Sequence, residues 1–101
     1  MKDDQDAMAS SKSESLQLID GEFTPAEAAT VILNLIDEKI NFHKIRKLQL
    51  WEKDHTANSD KLNARIKALE AEKARALAFF EKATANKSSL KVDGAIKLTM
   101  L

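Results

Sequence analysis

The spacing of apolar residues changes twice along the chain and divides it into strand-like ends around a helical middle. Near the start, Leu16, Leu18 and Ile19 form a short apolar patch closed by Asp20-Gly21, a turn signal. The patch fits either a brief strand or a cover for the first helix. From Val31 onward apolar residues recur every three or four positions, the helical period. After Asn86-Lys87-Ser88-Ser89 the period falls to two. Leu90 and Val92 flank Lys91, Asp93-Gly94 follows, and Ile96, Leu98 and Met100 alternate again. That segment, about 89–100, reads as a D-G hairpin or as one bent strand. Leu16–Gly21 and Leu90–Gly94 are alike enough to pair with each other, within one chain or between two.

Local signals mark the helix ends. Thr24-Pro25-Ala26-Glu27 places a capping threonine, a proline at the first helical position and a glutamate at the third. Phe23, just before the cap, is placed to act as a hydrophobic staple. A helix is predicted over about 24–54, a rod of roughly 45 Å. Asn58, Ser59 and Asp60 interrupt it, because their side chains compete for backbone bonds. A second helix follows over about 59–86, rich in strong helix formers. Two long helices with a short link return antiparallel. The fold class is therefore mainly α: an antiparallel two-helix hairpin with short strand-like segments at both ends. Residues 1–14, polar, acidic and without period, read as a disordered tail, leaving 15–101 as one helical-hairpin domain.

The two helices differ in the width of their apolar faces. Leu62, Ile66, Leu69, Lys73, Ala76, Phe80 and Ala83 step by four and three, a seam that one partner helix can cover. On the first helix, Val31, Ile32, Leu35 and Phe42 occupy one side, and Leu33, Ile36 and Ile40 extend the arc to roughly 200°. Trp51 aligns with Leu33 and Ile40. One companion helix leaves part of that arc wet, so a homodimer of four helices is expected, with these eight residues as its interface. Aspartate at Ile36 or Ile40 is expected to dissociate it.

Charge adds a polarity to this picture. Sixteen basic and sixteen acidic side chains cancel overall. Residues 1–38 nevertheless hold nine acids against two lysines, and residues 39–101 fourteen bases against seven acids. Opposite halves of this kind favour folding back or head-to-tail docking, and at a Debye length of ~8 Å they steer association more than they stabilise it. The absence of cysteine excludes disulfides and thiolate metal sites. No run approaches the 18 apolar residues of a membrane span. The opening Met1-Lys2-Asp3-Asp4-Gln5-Asp6 does not read as a secretory signal, so a cytoplasmic location is expected.

Few residues invite chemistry. Glu52-Lys53-Asp54-His55 has the Glu-x-x-His spacing of helical di-iron sites, but the nearest glutamate on the second helix, Glu70, is about ten residues, ~15 Å, past the turn. His43 sits beside Lys44 with no nucleophile or carboxylate spaced to complete a triad. Asp37 and Glu38 are adjacent and diverge by ~100°. Neither catalysis nor a cofactor is expected. Lys39, Lys44, Arg46 and Lys47 form the most basic stretch and offer contacts to phosphate or another anion. The expected function is a non-catalytic interaction or structural module that self-associates through its helices. The alternatives are a nucleic-acid-binding regulator using residues 39–47 and, less favoured, a metal-binding helical bundle. The alternating C-terminal segment also suits strand addition to another protein.

Overall fold

The computed structural model describes residues 12–101. In chain order the elements are β1 (Ser13–Phe23), α1 (Pro25–Lys53), α2 (Asp60–Ala85) and β2 (Leu90–Thr99). They form two compact units, a helical hairpin over Phe23–Leu90 and a strand pair drawn from the segments before and after it. The single-domain reading of 15–101 does not separate these units. β1 begins at Ser13, so the last two positions of the expected 1–14 tail are strand; residues 1–11 lie outside the described residues.

In the hairpin, α1 starts where the capping signal places it. Thr24 Oγ1 accepts a hydrogen bond from the Glu27 backbone N–H at 3.1 Å, and Glu27 Oε1 accepts one from the Thr24 N–H at 2.9 Å. The Thr24 and Glu27 donors are thus satisfied reciprocally, with Pro25 supplying a preset φ. Thr24→Ala is expected to cost about 1 kcal/mol, read as a lower midpoint in urea unfolding followed by circular dichroism. α1 ends as the backbone turns extended at Asp54. The hydroxyl and backbone N–H of Thr56 both donate to Asp54 Oδ1, at 2.7 and 3.0 Å, and hold that carboxyl below its ordinary pKa. This turn is thus favoured most above the ordinary value near 3.8, and the bias is lost as pH falls through the lowered one.

The start of α2 is held by side chains of the break itself. Asp60 is the first helical residue, where its charge suits the helix dipole, and Asn58 Oδ1 accepts the Asp60 N–H at 2.7 Å. At the other end Lys87 takes a left-handed φ of 55°. Its N–H reaches the Thr84 carbonyl at 3.1 Å, and the Ser88 N–H reaches Ala83 at 3.0 Å, a Schellman closure. α1 and α2 pack antiparallel along one another.

The strand pair is antiparallel and closes within one chain. Ser13 meets Thr99 through their hydroxyls at 3.5 Å, Gln17 donates to Asp93 at 2.6 Å, and the Met100 N–H reaches the Lys12 carbonyl at 2.7 Å. Of the two readings open for residues 89–100, one continuous strand is what forms. Asp93-Gly94 lies inside it rather than at a hairpin turn, because β1 supplies the partner. Lys91 also pairs with Asp20, at 3.8 Å, so an even position of β1 meets an odd position of β2. Leu16, Leu18, Ile96, Leu98 and Met100 are all exposed.

Candidate functional site

The feature that stands out in the hairpin is how little of its apolar surface is enclosed. Among the described residues only Ala28, Ile40, Ile66 and Ala83 form a buried core. Their side chains hold about ten carbons between them, a thin basis for a fold at about 0.8 kcal/mol for each buried methylene. The broad arc of α1 resolves into two lines about 160° apart around the helix. The inner line, Ala29, Leu33, Ile36, Ile40, His43, Lys47 and Leu50, steps by four and three. It faces the matching line on α2, and a 2.7 Å ion pair between Asp37 and Lys73 ties the two helices together. That pair gives a place to the lysine that interrupts the α2 seam. Both partners are substantially solvated, so it contributes at most about 1 kcal/mol.

The outer line has the same spacing and no cover. Val31, Leu35, Glu38, Phe42, Ile45 and Gln49 again step by four and three, and every one is exposed. Phe42 keeps 54% of its surface in solvent, whereas Ile40, two residues earlier, keeps 8%. The eight residues expected to form one interface are therefore divided. Val31, Leu35, Phe42 and Trp51 are exposed, Ile32, Leu33 and Ile36 are half-buried, and Ile40 is enclosed by its own chain. Ile45 was outside the expected set, although its place seven after Glu38 and fourteen after Val31 is a readable heptad signal.

His43 falls on the inner line. Both its ring nitrogens are buried and have no hydrogen-bond partner among the described residues. A buried unpaired polar group of this kind costs roughly 1–3 kcal/mol. His43→Leu, keeping shape and removing the orphaned atoms, is expected to raise the melting temperature by several degrees. Thermal unfolding followed at 222 nm measures it; an unchanged or lower midpoint contradicts this account of the site.

The basic residues do not gather into one stripe. Lys44 and Lys47 line an open groove of about 680 Å³ on one flank of the hairpin, beside Trp51 and Ile66. Arg46 lies on the other flank, its guanidinium 5.9 Å from the centre of the Phe42 ring. Lys39, also exposed, is about 140° round the helix from Lys44. Sequence proximity concealed this divergence. The Glu52–His55 step is likewise dispersed, since α1 ends at Lys53 and His55 belongs to the turn. Its ring stacks on Trp51, centroids 4.0 Å apart and planes 13° from parallel. Among the described residues no three His, Asp or Glu side chains converge as a metal site, and no helix is long and apolar enough to cross a membrane.

Comparison with protein-family models, with curated proteins and with solved structures finds no match to the chain.

Proposed function

We propose that the protein is a non-catalytic protein–protein interaction or structural module, cytoplasmic by expectation, that self-associates through its helices as a dimer of hairpins, four helices in all. The observation that carries this reading is the uncovered outer line of α1. Val31, Leu35, Phe42 and Ile45 form a heptad-spaced apolar stripe, interrupted by Glu38, on the side turned away from α2. A heptad-spaced apolar line is the pattern that a second helix covers by interdigitation. Each such side chain, fully buried, is worth about 1.5–3 kcal/mol, which is large beside the enclosed core of one hairpin.

The strand ribbon offers a second place for a partner. β2 is paired on one side only, so its free edge suits strand addition by another protein, with the exposed Ile96 and Leu98 available to its side chains. The alternative of a nucleic-acid contact through Lys39, Lys44, Arg46 and Lys47 draws no comparable support, because Lys44 and Lys47 lie on one flank of the hairpin and Arg46 on the other.

Sedimentation equilibrium of the full chain at micromolar concentration tests the reading. A mass of twice 11.2 kDa is expected. A single species at 11.2 kDa across that range overturns it.

A further inference from the structure

We infer that the second copy lies antiparallel along the outer line of α1, with the two-fold axis crossing the helix between Glu38 and Lys39. The inference rests on the self-association reading and adds to it an orientation and a register. The apolar pattern by itself does not choose a direction. Val31 and Ile45 lie symmetrically about position 38, and Leu35 and Phe42 about the 38/39 junction, so the stripe meets a copy of itself about equally well running either way.

Charge breaks the tie. From Pro25 to Glu38, α1 carries three acids, Glu27, Asp37 and Glu38, and no base. From Lys39 to Lys53 it carries five bases, Lys39, Lys44, Arg46, Lys47 and Lys53, against the single acid Glu52. The sign changes at 38/39, which is also the midpoint of the apolar stripe. Parallel pairing lays the acidic half on the acidic half and the basic half on the basic half, with the two Glu38 carboxylates face to face on the seam. Antiparallel pairing about 38/39 sets Val31 and Leu35 against Ile45 and Phe42 of the second copy. It also sets each Glu38 against the other copy's Lys39, and each Glu27 near the end that carries Lys53. Asp37, already bonded to Lys73 within the hairpin, takes no part. Like charges brought together across an interface select against the wrong partner geometry more strongly than opposite charges reward the right one.

The chain contains no cysteine, so introduced thiols report orientation without interference. Val31→Cys and Ile45→Cys chains are mixed at equal concentration in a glutathione redox buffer, and the disulfides are identified by mass. Position 31 lies about 22 Å along the axis from its own copy in the antiparallel arrangement, and beside position 45 of the other chain. The mixed 31–45 disulfide is expected to dominate. Predominance of the 31–31 species overturns the orientation while leaving the dimer standing. A purely monomeric mass for the unsubstituted chain overturns the dimer itself.

A second pair of variants reads the axis without thiols. Glu38→Lys sets lysine against Lys39 in the antiparallel dimer and is expected to raise the dissociation constant about tenfold. Glu38→Lys combined with Lys39→Glu restores it. A parallel dimer merely exchanges one like-charge contact at position 38 for another, so an unchanged dissociation constant for Glu38→Lys counts against the inference. Both substitutions are on exposed positions, and the helical signal at 222 nm is expected to stay constant.

Discussion

Ile40→Asp is expected to unfold the hairpin, with loss of most of the helical signal at 222 nm at 25 °C. Ile40 lies on the inner line of α1 and is one of two large aliphatic side chains that the hairpin encloses. Removing it forfeits about 1.5–3 kcal/mol of apolar burial, and leaving a carboxylate in its place adds a desolvation cost of several kcal/mol. Folded domains hold only about 0.05–0.15 kcal/mol per residue in reserve, so a small hairpin has no margin for both terms. The milder Ile40→Ala is expected to cost roughly 2–5 kcal/mol, measurable as a shifted urea midpoint with the fold intact. Normal melting of both variants contradicts the burial at this position.

Phe42→Asp, only two positions further, is expected to behave in the opposite way. The side chain is half in solvent and on the outer line, so the hairpin loses little when it is replaced. A dimer loses it twice, once from each copy. With about half of each ring left to bury, at about 1.5–3 kcal/mol for a whole aromatic, the dissociation constant rises by roughly one to two orders of magnitude. The expected result is a helical monomer by sedimentation, with an unfolding midpoint that no longer depends on protein concentration. Leu35→Asp is a second probe of the same line. A dimer that survives both substitutions places the contact elsewhere. The contrast between positions 40 and 42 replaces the simpler expectation that aspartate at Ile36 or Ile40 separates intact subunits. Those side chains lie against the chain's own second helix, where a charge acts on folding before it acts on assembly.

Why the sequence separates these cases only partly follows from the symmetry of α1 itself. Two lines with the same four-and-three spacing run along one helix, and each is apolar enough to be the buried one. Which of them faces α2 depends on a contact between residues distant in the chain, of which the Asp37–Lys73 pair is the visible part. Local signals, by contrast, were fully legible. The Thr24-Pro25-Ala26-Glu27 box forms both of its hydrogen bonds, and the break at Asn58–Asp60 falls where side chains compete with the backbone. The C-terminal segment lies between these extremes. Its alternation announces a strand, but Asp93-Gly94 carries an equally strong local turn signal. The Gln17 amide that holds Asp93 comes from the other end of the chain, and no window of sequence contains both. The basic residues of 39–47 were legible as a cluster and illegible as a surface, since helical rotation scatters neighbours that a line of text keeps together.

The pairing of β1 with β2 sets an order of events during folding. Ser13 and Thr99 are 86 positions apart. Closing so long a loop from an unfolded chain costs roughly 4 kcal/mol in entropy before a single strand bond forms, and a lone two-stranded ribbon has little with which to offset it. The helices answer to nearer neighbours and close much shorter loops. Once they have turned back on one another, the chain on either side emerges from the same end of the hairpin and most of that entropy has already gone. The ribbon is thus a latecomer that depends on the helices for its existence, and it can come apart while they stay folded.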